Sequence, residues 1–77
     1  MESFFLSNGK INREYTITGM CSFIDIKTRT RLYELGFFDG EKVLIISKSL
    51  MGGVLLVQIR NSVLTLRQKE ASCVVVK

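Results

Sequence analysis

Histidine is missing from this sequence. The side chain that changes charge near neutral pH is therefore unavailable, and a general base would have to be a perturbed carboxylate, lysine or cysteine. Ser-His and Cys-His nucleophile pairs cannot be assembled within the chain. Cysteine is scarce: Cys21 and Cys73 stand far apart and outside any CxxC pair, so the residue sets that usually hold zinc are missing as well. In a chain without a secretory signal, two such thiols are expected reduced, buried or at an edge, with a disulfide as the competing arrangement. Proline is absent too, which leaves every backbone N–H free to join a ladder. Neither of the glycine-rich phosphate-cradling motifs occurs, so nucleotide binding is not expected.

Long hydrophobic runs are also lacking. The longest, Val43 to Ile46 and Val54 to Val57, fall far short of the roughly 20 residues that cross a bilayer as a helix. The N-terminus has no basic start and too short an apolar stretch for a signal peptide. A cytoplasmic protein with no direct membrane insertion is expected. The net charge of +4 comes from 11 basic residues spread along the chain. Only Lys27, Arg29 and Arg31 cluster, without interleaved aromatics to stack bases, so nucleic acid is not an expected partner.

Apolar side chain is what the sequence has in quantity, at 47% of 77 residues. A domain near this length buries only about 60% of the surface its unfolded chain exposes. Some of that apolar surface must stay outside, where a contiguous patch would serve a partner or self-association into a homo-oligomer.

Residues 1–12 end in the turn signal Ser7-Asn8-Gly9-Lys10 and are expected as an N-terminal arm that either frays or covers an open sheet edge. Residues 13–77 form one barrel domain. From Glu14 the side chains alternate, Tyr15 and Ile17 on one face, and Gly19 ends or bends the strand. Asp25 is placed to cap a helix whose face carries Ile26, Leu32 and Leu35, with Thr28 as a competing cap. Gly36 supplies the left-handed residue that closes it. Strands follow over 41–47, 54–60 and 63–67, with Val43 and Ile45, then Leu55, Val57 and Ile59, then Leu64 and Leu66 as repeating faces. Asn61-Ser62 is the expected two-residue hairpin loop. One helical turn over 68–71 and a last strand over 73–76 complete the chain. The pattern is mainly β: a small five-stranded barrel, with one short helix after the first strand and a single helical turn before the last. Closing the sheet would remove its edges.

Several of these pieces together resemble the ferrous iron transport protein A (FeoA) family of small SH3-like barrels. They are Ile17-Thr18-Gly19, the run Arg31-Leu32-Tyr33-Glu34-Leu35-Gly36-Phe37, Gly40, Gly52-Gly53, Leu64 to Arg67, Ala71 and Val74 to Val76. The likeness runs from Tyr15 to Val76. Two departures stand out. Asp39 occupies a position where the family commonly has proline, and the loop Leu50-Met51-Gly52-Gly53-Val54 lacks the family's prolines, which loosens φ there. The resemblance implies an accessory role beside the membrane ferrous-iron transporter FeoB, through its cytosolic G-protein-bearing part, without transport or GTP hydrolysis by this chain. It also implies a peripheral place at the inner membrane through that partner. SH3-like modules of this kind close metal-dependent transcriptional repressors, which is the alternative function.

Two stretches invite a contact role. One is the helix face with Lys27, Arg29, Arg31 and Tyr33 beside Leu32; the competing view is a solvated basic face over a buried leucine. The other is the loop from Ser49 to Gly53, where Leu50 and Met51 sit at a tip backed by Gly52 and Gly53, and flexible apolar side chains adapt to grooves. There the competing view folds both side chains back onto the barrel mouth. Arg29, Leu32, Tyr33, Leu50, Met51, Gly52 and Gly53 are the candidate partner-binding residues. Glu34, Asp39 and Glu41 read as helix-flank and turn acids, with no catalytic residue expected. No cofactor is implied. Carboxylates, methionines and two cysteines would hold iron or zinc weakly, so no tight metal site is expected.

Overall fold

Period-two alternation in the sequence becomes one wall of a barrel. The computed structural model describes residues 2–77 and contains six strands: β1 (Phe4–Phe5), β2 (Glu14–Met20), β3 (Lys42–Lys48), β4 (Val54–Ile59), β5 (Ser62–Arg67) and β6 (Val74–Val76). Two helices join them, α1 (Ile26–Glu34) and α2 (Gln68–Ala71). All neighbouring strands are antiparallel, in the order β1-β6-β2-β3-β4-β5. Val43 and Ile45, Leu55, Val57 and Ile59, Leu66, and Val74 and Val76 point inward from four strands into one core with Leu6, Ile17, Leu32, Phe37 and Ala71.

Strand β2 serves both halves of the sheet. Its first residues pair with β3 (Glu14↔Leu44, Thr16↔Lys42), and its later ones pair with β6 (Ile17↔Val76, Met20↔Val74). A register shift between Ile17 and Gly19 bends the strand at the hand-over. Gly19 thus lies in a bend, and the strand runs one residue beyond it. A second shift, between Ile45 and Ser47, bends β3 against β4. The two bends roll the sheet, but its outer strands β1 and β5 are not joined to each other. α2 packs against β4 and β5, and the 3₁₀ turn Leu6–Asn8 packs against β6 and α2.

The sixth strand comes from the arm. Phe4 and Phe5 pair with Val76 and Val75, covering the edge that β6 would otherwise expose. Leu6 is fully buried, and Phe4 meets Tyr15 edge-to-face at 5.1 Å between ring centres. Gly9 is there for closeness: a Cβ on it would stand 2.6 Å from Ile45 Cδ1 and 2.7 Å from Tyr15 Cε2. The first twelve residues failed to read as a strand because only two of them pair, and a two-residue strand has no period.

Helix α1 begins and ends as the sequence indicates. The Asp25 carboxylate accepts from the Thr28 N–H at 3.1 Å. Gly36, at φ +103°, closes the helix. Phe37 N–H then donates to the Leu32 carbonyl, and Gly36 N–H to that of Tyr33, while Leu32 and Phe37 meet in the core. Two local expectations shift. Ile26, assigned to the inward face, is exposed, because the helix enters from the rim and reaches the core only near its last turn. The hairpin loop is Arg60-Asn61, since Ile59 pairs with Ser62, and the positive φ of 54° falls on Arg60. The alternation on either side was right, but it fixes the face and leaves the turn free to slip by one residue.

Candidate functional site

The seven candidate contact residues divide three ways. Leu32 has no accessible surface and is packed among core side chains. It is a core residue, because the helix closure that joins it to Phe37 turns it inward. Arg29 and Tyr33 are exposed on α1. Tyr33 stacks on Phe38 with ring centres 5.6 Å apart and planes 16° from parallel, so the two rings form one partly exposed aromatic step just before β3.

Leu50, Met51, Gly52 and Gly53 make the third group, the loop between β3 and β4. Leu50 and Met51 are fully exposed, the most open large apolar side chains of the described residues. Neither folds back on the barrel. Their backbone is nevertheless held: the Ser49 hydroxyl accepts from the Gly53 and Val54 N–H groups at 2.9 and 3.1 Å. Gly52 N–H donates to the Ser49 carbonyl at 3.0 Å, with Gly52 at φ +73° to close the turn. The loop without proline is fixed instead by a serine side chain at its base.

α2 ties the two surfaces to one anchor. At its start, Gln68 N–H donates to the Gly53 carbonyl at the base of the loop, at 3.0 Å. Two residues on, the largely buried Glu70 carboxylate accepts from the Arg67 N–H at 2.9 Å through one oxygen and from Arg31 of α1 through the other. Loop and helix therefore share a four-residue support. Sequence reasoning named neither Arg31 nor Glu70 for this role. The available signal was the spacing Arg67-Gln68-Lys69-Glu70, a glutamate three residues after a helix cap, which reaches back to a free N–H.

Hydrogen bonds from Thr28 hold the Asp25 carboxyl below its usual range. The Arg60 guanidinium does the same for Glu41 across an exposed ion pair. Among the described residues no three His, Cys, Asp or Glu side chains gather around a common point. No helix among them is long and apolar enough to cross a membrane.

A family model described as the FeoA domain matches residues 5–77. No curated protein sequence matches significantly. Among solved structures, FeoA of Stenotrophomonas maltophilia in complex with zinc, described as a prokaryotic SH3 domain protein, is 33% identical over 96% of this chain and 89% of its own, with a TM-score of 0.83. The FeoA-like protein of Clostridium acetobutylicum superposes over 100% of this chain and 87% of its own at TM-score 0.88 and 23% identity. A manganese-dependent transcriptional repressor bound to manganese matches over 99% of this chain but 36% of its own length, at TM-score 0.89 and 13% identity, a likeness of fold alone.

Proposed function

Since this chain belongs to the FeoA domain family, we propose that it is an accessory protein of bacterial ferrous iron uptake that acts by contact with the cytosolic part of a FeoB-type transporter. It catalyses nothing itself. The observation that carries this proposal is the β3–β4 loop: Leu50 and Met51 project fully into solvent from a backbone pinned by Ser49 and by α2. Exposed apolar side chains on a held turn lose less entropy on binding than the same side chains on a loose one. The aromatic step of Tyr33 and Phe38, with Arg29 on the same helix, is the second contact surface. Tyrosine and arginine are the residue types that anchor interfaces most often.

FeoA of S. maltophilia has been suggested to act as a bacterial ferrous iron transport activating factor, which supports the same class of role here. In this role the protein works in the cytoplasm and meets the inner membrane through its partner. The repressor likeness carries no function to this chain, because 13% identity supports the fold and no more.

The test is iron uptake in cells lacking this chain, measured under iron limitation and with complementation. Uptake of radiolabelled Fe(II) is expected to fall and to return with the wild-type gene, but not with the double variant Leu50→Asp, Met51→Asp. Normal uptake in the deletion strain would refute the role.

A further inference from the structure

The fold sets side by side two thiols that the sequence separates by most of its length. One step beyond Met20↔Val74 in the β2–β6 register, Cys21 stands opposite Cys73, and the Cys21 N–H donates to the Cys73 carbonyl at 2.9 Å. The Cys73 N–H turns to the Glu70 carbonyl, but the two thiols lie near enough for that of Cys21 to act directly on that of Cys73, the close approach of sulfurs that a disulfide requires. Both are free thiols. Cys21 is 6% exposed. Cys73 is half-buried and lines an open cleft of about 660 Å³ between α1, α2 and the 3₁₀ turn. Cys73 lines the cleft and the buried Cys21 does not, so a small solute in the cleft comes to Cys73 before Cys21.

We propose that Cys21 and Cys73 form an oxidisable dithiol, closing to an intramolecular disulfide with hydroperoxides as the oxidant. The Cys73 thiolate attacks the O–O bond of hydrogen peroxide, which breaks to give Cys73 sulfenic acid and, after protonation, one water. The Cys21 sulfur then attacks the sulfenic sulfur, the S–S bond forms, the S–O bond breaks, and a second water leaves. Two thiols and one peroxide yield one disulfide and two waters.

The surroundings set the rate. The Cys73 thiol is pushed up to about 11, by burial first and then by the Cys21 thiol beside it. Lys69 on α2 lowers it and Asp25 at the start of α1 raises it; the rest of the cleft's polar lining is uncharged. Because the thiolate is the nucleophile, the pair is slow to oxidise at neutral pH and quickens by about tenfold per pH unit below that value.

The test treats the whole reduced protein with hydrogen peroxide at pH 7, 8 and 9 and maps peptides without reduction. A monomer two hydrogens lighter, with Cys21 linked to Cys73, is expected, its formation quickening by about a hundredfold from pH 7 to pH 9. Cys21→Ser and Cys73→Ala should each abolish the link, and a dithiol reductant should restore the starting mass. Thiols left unmodified after prolonged exposure at pH 9, Cys73 carried on to sulfinic acid without a link, links between molecules only, or a rate flat across this range would each overturn the proposal. The wild-type measurement decides this even if the Cys21 variant does not fold.

Discussion

Leu32 and Leu50 are the same side chain in opposite situations. The first sits at the end of α1 with no accessible surface, touching Phe37 and the inward faces of the sheet; the second stands at a loop tip wholly in water. Both are candidate contact residues by sequence, Leu32 for its place on the basic helix face and Leu50 for its place at a glycine-backed loop tip. The difference between them is one of backbone. A helix closed by Gly36 must turn Leu32 and Phe37 toward each other. The loop closed by Ser49 and Gly52 hydrogen-bonds only its own backbone and α2, leaving its apolar side chains unpartnered. Stability is therefore concentrated at the first leucine, and the second is where we propose that a partner makes contact.

Substitution at the two sites should separate these properties. Leu32→Ala is expected to have the largest effect, a loss of about 2–5 kcal/mol for a large-to-small change in a packed core, read by urea unfolding. Its effect on partner binding should follow the unfolded fraction and nothing else. Glu70→Ala comes next. It strands the Arg67 N–H and frees Arg31 and so removes the common support of helix and loop. A loss of about 1–3 kcal/mol is expected, together with faster amide exchange at Gln68, whose N–H holds the loop base. Removing the other ion pair with Glu41→Ala should cost much less than either, because Arg60 is open to solvent and Glu41 is only partly shielded.

A pH dependence sharpens the comparison on the cleft side. The Cys73 thiol is raised in the folded protein to about 11, from 9.0 in the unfolded chain. Below pH 9 both states keep the proton and the shift contributes nothing. Between 9 and 11 the unfolded chain releases it more readily, so stability falls as pH rises. Urea unfolding with reductant at pH 8 and pH 10.5 should show this decline in the wild type and a smaller one in Cys73→Ala. The smallest stability effect is expected at the tip: Leu50→Asp and Met51→Asp should each stay within about 0.5 kcal/mol of wild type.

Most of the barrel could be read from the residues, because strands β3 to β6 each bury alternate side chains and a period of two survives in the sequence. The Asp25 cap and the Gly36 stop were equally plain, since each position demands a particular residue type. The arm was not, for Phe4 and Phe5 pair over too short a length to show a pattern. The contact surface was half legible. Leu50 and Met51 stand out as apolar residues at a turn. The burial of Leu32 was one of two readings the helix face allowed, but the Arg31–Glu70 link and the opposed thiols join residues 39 or more apart along the chain, and no local pattern names the two members of such a pair.

The most direct test is calorimetric titration of the transporter's cytosolic domain with wild-type protein and with Leu50→Asp, Met51→Asp, after the Tm of each has been measured. The double variant should keep the wild-type Tm and lose at least about tenfold in affinity, the equivalent of 1.4 kcal/mol. Undiminished affinity in the correctly folded double variant would contradict the account, because the loop would then be a bystander.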